Sequence, residues 1–91
     1  MRWTEEKVRE VIRNGENSFV EFKEYPLKPE QLAKELVAFS NFKGGTLFLG
    51  ITDDGKISGI EKSNLEEWVM NVVSNLIEPI VIPSYQELKI D

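Results

Sequence analysis

The chain has 91 residues, with 11 Lys+Arg against 16 Asp+Glu and a formal net charge of −5. This bounds it to one small domain near the lower size limit for an unstapled core and argues against sequence-independent phosphate binding by bulk charge. It contains neither cysteine nor histidine, which excludes disulfides, thiolate nucleophiles and imidazole bases or ligands and leaves chemistry to carboxylates, lysines, hydroxyls and backbone groups.

Thr4 is placed as an N-cap, and Trp3 before it with Val8 after it form a hydrophobic staple. Val8, Val11 and Ile12 make a narrow apolar stripe that Asn14-Gly15 ends, so the first element is a short amphipathic helix. Lys7, Arg9 and Arg13 are left to solvent, where the default reading is a hydrated face and the alternative a nucleic-acid contact. Glu16 to Tyr25 reads as a strand, with Ser18, Val20, Phe22 and Glu24 on one face and Phe19, Glu21, Lys23 and Tyr25 on the other. Tyr25-Pro26-Leu27-Lys28-Pro29 connects it to a helix that starts at Pro29, with Glu30 in its first turn. Leu32, Leu36 and Phe39, flanked by Ala33, Val37 and Ala38, give that helix one broad buried side.

The stretch from Phe39 to Ile60 organises the rest. Gly44-Gly45 closes the helix in the left-handed conformation, and Thr46 to Thr52 reads as a strand buried on both faces. Gly50 within it marks a bulge or the close approach of another backbone. Asp53-Asp54-Gly55 turns the chain and Lys56 to Ile60 returns, making a central hairpin. Beyond it, Ser63-Asn64-Leu65-Glu66 is a capping-box pattern, and Leu65, Trp68, Val69, Val72, Val73, Leu76 and Ile77 follow a sustained helical repeat that Glu78-Pro79 ends. Ile80-Val81-Ile82-Pro83 is an apolar connection, and Tyr85 to Ile90 alternates as the start of another strand. The expected class is α+β: a small mixed sheet on a central β-hairpin with two to three packed helices, in the order α-β-α-β-β-α-β. Residues 1–91 are expected to be a single domain, the N-terminal fragment of a longer protein.

Two groups of side chains bear on function. Residues 1–62 carry 10 basic and 11 acidic side chains, and the excess negative charge lies in residues 63–91, so a local basic patch in the first two-thirds is compatible with the composition. Lys23, Lys28, Lys43 and Lys56 are the candidate phosphate contacts, joined by the exposed amides of Gly44 and Gly45. Gly44-Gly45 lacks the spacing of a P-loop or dinucleotide fingerprint, and its default reading is a helix C-cap. The second group is acidic. Glu16 opens the first strand, Glu21 lies on its polar face and Asp53 or Asp54 ends the central strand. If the strands are neighbours, three carboxylates converge on a hard-cation site of the kind Mg²⁺ or Mn²⁺ prefers; the default for each is a solvated surface acid or hairpin turn.

The order ENSFVEFKE, then a helix ending AFSNFKGGTLFLGITDDGKISGI, resembles the AlbA-type domain of Schlafen proteins and of bacterial and archaeal transcriptional regulators, some described as related to ATP-dependent helicases. The resemblance is strongest over about residues 13–60 and implies an α+β fold. It also implies a DNA-binding role as the front domain of a longer regulator; separately, the lack of a membrane-length apolar run and of an apolar h-region after Met1-Arg2-Trp3 makes the cytoplasm the expected location. In certain animal Schlafens three acids of this domain cleave RNA with a metal, and by motif position these match Glu16, Glu21 and either Asp53 or Asp54. The resemblance thus supports a non-catalytic nucleic-acid module, DNA before RNA, with no certain cofactor. The alternatives are an endoribonuclease using Mg or Mn at Glu16, Glu21 and Asp53 or Asp54, and an interaction module, including a homodimer, that uses a sheet edge and Trp3 and Trp68. No membrane partner is expected, since no apolar run is long enough to span a bilayer.

Overall fold

The structure is a computed structural model and describes residues 2–79 and 82–90. Helix α1 (Glu5–Asn14) begins where the Thr4 hydroxyl accepts the Lys7 N–H at 3.2 Å, and it stops at Gly15, whose φ of 82° takes the chain out of the helix. Trp3, the residue before the cap, packs against the apolar cluster that contains Val8. Strand β1 (Val20–Lys23), helix α2 (Pro29–Asn41) and strand β2 (Thr46–Leu49) then make a β-α-β unit, and helix α3 (Leu65–Leu76) completes the order.

The strands pair in parallel, Val20 with Thr46, Glu21 with Leu47, Phe22 with Phe48 and Lys23 with Leu49. A parallel pair requires a long crossover, and α2 supplies it. Because side chains alternate across a strand, Val20, Phe22 and Phe48 face α1, where they pack with Val8, Val11, Ile12 and Ile51. Leu47 points the other way, into the cluster that α2 and α3 build from Leu32, Ala33, Val69, Val72, Val73 and Ile77. The sheet is therefore sandwiched between α1 and the α2–α3 pair. Phe22 and Leu32, each 1% exposed, are the most deeply buried large side chains of the two layers.

The α+β class stands, but the described sheet has two strands and differs from expectation in three places. The first strand, expected over Glu16 to Tyr25, pairs only over Val20–Lys23. The central hairpin is short. Gly50, at φ 94°, leaves the β region and ends the β2 ladder, so the return arm is held by the single Ile51–Ile57 bridge and by Ser58 and Gly59 N–H groups donating to the Gly50 carbonyl at 2.8 and 2.9 Å. The close backbone approach expected at this glycine is present: a Cβ there would lie 3.2 Å from the Gly59 carbonyl carbon.

The strand expected from Tyr85 to Ile90 does not form. The Gln86 side chain instead accepts from the Trp3 N–H at 2.9 Å and donates to its carbonyl at 2.7 Å, while Tyr85 packs on the α2–α3 cluster and Ile90 on the α1 cluster. The alternating apolar pattern is thus used to cross between layers rather than to extend the sheet. At α3 the capping box is also absent, since the helix starts one residue late, behind a left-handed Asn64 (φ 60°) that makes no side-chain cap. Ile80 and Val81 of the apolar connection lie outside the described residues. Among the described residues no helix is long and apolar enough to cross a membrane.

Candidate nucleic-acid interface and carboxyl cluster

Alternate amides of β1 point away from β2 and need other partners. Asn17 serves Val20, whose N–H donates to its carbonyl at 3.3 Å. For Phe22 the partner is a side chain: its N–H donates to Glu16 Oε2 at 2.7 Å. Glu16 therefore acts as a surrogate neighbouring strand, and the buried Phe22 is anchored through it. Glu21, on the α2 face of β1, hydrogen-bonds the Glu16 carboxyl and also meets Glu35 of α2.

These contacts set the protonation order. The hydrogen bond from Glu21, the Phe22 amide and the nearby Lys23 charge hold Glu16 below the usual carboxylate range. The bond to Glu16, partial burial and the negative charges of Glu16 and Glu35 push Glu21 up to about 7. Glu16 is the ionised member because it alone receives a backbone donor.

Two of the candidate acids are thus brought together, with Glu35 as a third that the sequence pattern did not flag. Its only signal was its position one turn before Phe39 on α2. Asp53 and Asp54 lie on the turn after Gly50. Asp54 accepts the Thr52 hydroxyl and stands 3.9 Å from Lys56 Nζ, and these two partners, the hydroxyl first, lower its pKa. Asp53 is exposed. Among the described residues no three acidic side chains are gathered as a cation requires, so the set Glu16, Glu21 and Asp53 does not fit a metal ion in this arrangement.

The candidate phosphate contacts divide between the two ends of the sheet. Lys23 is the last residue of β1, Lys28 precedes α2 with its N–H on Gln31 Oε1 at 3.1 Å, and Lys56 follows β2 on the hairpin, all at or past the C-terminal ends of the strands. Lys43, Gly44 and Gly45 precede β2 at the N-terminal ends, roughly 10 Å away along a strand. The two glycines have local duties. Gly44, at φ 86°, donates its N–H to the Phe39 carbonyl at 2.9 Å, and a Cβ on Gly45 would overlap the Phe39 ring.

Two groupings are made only by the fold, the first of them from helix residues that the sequence had already offered as an alternative nucleic-acid contact. Arg9 and Arg13, four residues apart on α1, share a groove of about 500 Å³ with Lys56, floored by Ile12, Ile57 and Ile90. Arg9 is also paired with Glu5 at 3.0 Å. The i, i+4 spacing was visible in the sequence; that the hairpin turn folds onto this face of α1, with Gly55 against Ile12, was not. The second feature is the ring pair Phe19 and Phe42, 5.5 Å between centroids and both about half exposed. Trp3 and Trp68, by contrast, are engaged internally, edge-on to Phe48 at 4.9 Å and to Tyr25 at 5.5 Å.

No curated protein and no solved structure matches the chain. The family described as Schlafen, AlbA_2 matches residues 16–91, which takes in β1, its Glu16 anchor, the Gly-Gly turn and the hairpin, and the chain belongs to that family.

Proposed function

We propose that this chain is a nucleic-acid-binding module of a transcriptional regulator, with DNA as its target. The observation that carries the reading is the groove in which Arg9, Arg13 and Lys56, from two separated segments, line one concave surface. The chain is acidic overall, and Glu5 and Asp54 partly offset Arg9 and Lys56, yet the fold alone gathers these three cations in one concavity, and cationic concavities attract phosphate backbones. Lys23, the last residue of β1, and Lys28 lie at the same strand ends as Lys56 and add salt-sensitive contacts; Lys43 with the Gly45 amide forms a separate contact at the other rim, the Gly44 N–H being held by the Phe39 carbonyl. Fluorescence anisotropy of labelled duplex DNA at rising salt tests this. Arg13→Glu and Lys56→Glu should each weaken binding and flatten the salt dependence, and absence of binding by the parent protein at low salt refutes the proposal.

A second reading, a metal-dependent endoribonuclease, is favoured by the contact between Glu16 and Glu21. It requires the hairpin turn to bring Asp53 or Asp54 to that pair. Incubating structured RNA with Mn²⁺ and comparing Glu21→Gln with the parent decides it: equal cleavage by both removes the reading.

A further inference from the structure

Phe19 and Phe42 are 48% and 55% exposed and belong to neither apolar cluster, although small domains ordinarily bury their phenylalanines. Both are held at fixed backbone positions. The Phe19 N–H donates to Asn17 Oδ1 at 2.7 Å and its carbonyl accepts from Thr46 at 2.7 Å, while the Phe42 N–H donates to the Phe39 carbonyl at 3.2 Å at the end of α2. The segments that carry them, residues 17–20 and 38–46, contain Lys43 as their one charged side chain, together with Asn17, Ser18, Ser40 and Asn41. Gly44 leaves the rim beside Phe42 open, with nothing within 4 Å of where its side chain would stand.

We propose that the Phe19–Phe42 pair is a stacking platform for unpaired nucleobases, so that the module engages single-stranded nucleic acid at this rim; this rests on the nucleic-acid reading above and adds to it. Size selects the occupant. Two half-exposed rings offer roughly 200 Å², against about 800 Å² per partner in a specific protein interface. A base is planar and matches that area, its phosphate meets Lys43, and the neutral amides and hydroxyls of Asn17, Ser18, Ser40 and Asn41 suit base edges.

The test measures binding of the full chain to a short oligothymidylate, to an abasic strand of the same phosphate count and to a duplex of the same length. Phe42→Ala should lose about ten-fold on the oligothymidylate, with no change on the abasic strand or the duplex, and Phe42→Tyr and Phe42→Trp should retain parental binding. Phe19→Ala, at the other ring, provides an independent variant, and thermal melting confirms that each folds. Equal affinity of parent and Phe42→Ala for the oligothymidylate overturns the platform while leaving the groove reading intact if Arg13→Glu still weakens duplex binding. Failure of the parent to bind any probe overturns both. A dimer that sediments as a monomer after Phe42→Ala, without a base-dependent loss, overturns the platform in favour of an interface between copies.

Discussion

Glu21→Gln offers a sharp check on the carboxyl cluster. In the folded protein Glu21 is pushed from the ordinary 4.5 to about 7, so folding favours its protonated form. Its contribution to stability is fully present below pH 4.5, declines as pH rises from 4.5 to about 7, and is absent above that. Glu16 runs the other way: its lowered pKa gives a contribution present above 4.5 and lost as pH falls below it. The pair therefore places its stability optimum near pH 4.5. The Glu21 displacement alone corresponds to at most ~3.4 kcal/mol, and solvent access to this partly exposed pair reduces the expectation to about 1–2 kcal/mol. A glutamine at this position keeps a donor for Glu16 at every pH and carries no proton to lose. Urea denaturation followed by tryptophan fluorescence from pH 4.5 to 8 should give matching stabilities at the acid end and a variant more stable by about 1–2 kcal/mol at pH 8. Carboxylates away from the cluster contribute equally to both proteins, so the difference isolates Glu21 together with its partners Glu16 and Glu35. Parallel pH curves, or a variant that is weaker at pH 8, refute the shared-proton geometry.

Removing the other member has the opposite sign. Glu16→Ala strands the Phe22 amide and should cost about 1–3 kcal/mol in urea denaturation at pH 7, whereas Glu16→Gln, which keeps an acceptor, should lose less than half of that. Gly50→Ala forces a side chain into a φ of 94° against Gly59; a loss of about 1–3 kcal/mol is expected in the same assay, and a neutral result would place the hairpin differently. Leu32→Ala empties the centre of the α2–α3 layer, and a loss of about 2–5 kcal/mol by denaturation is expected, with the DNA salt dependence unchanged.

Much of the local structure was legible. Thr4, Pro29 and Gly15 mark helix ends because caps, a fixed proline φ and a left-handed glycine act within a few residues of themselves. The apolar repeats of α2 and α3 identify the faces that meet. The acids at 16 and 21 were singled out together with Asp53 or Asp54; the first two lie side by side and shift each other's pKa, whereas Asp53 and Asp54 sit on the turn after Gly50. The strand lengths were less legible. Gly50 reads in sequence as a close approach but not as the end of the ladder, and the alternation of Tyr85 to Ile90 fits a strand as well as it fits a segment that fills two layers. Ser63 and Glu66 have the chemistry of a cap, yet α3 starts only at Leu65, which is buried, as is Val69 one turn on.

The amino-acid order alone determined the three helices and the turns that bound them, since each depends on nearest-neighbour sterics and the periodicity of apolar side chains; that β1 and β2 are neighbours was left open by it and is settled by their pairing in the fold. Which distant groups meet was decided only in three dimensions: the parallel register that sends Glu21 toward Glu35, the docking of the hairpin turn on Arg9 and Arg13, and the pairing of Phe19 with Phe42. Those contacts depend on how layers are stacked, and stacking is settled by burial summed over both clusters rather than by any segment's own preference.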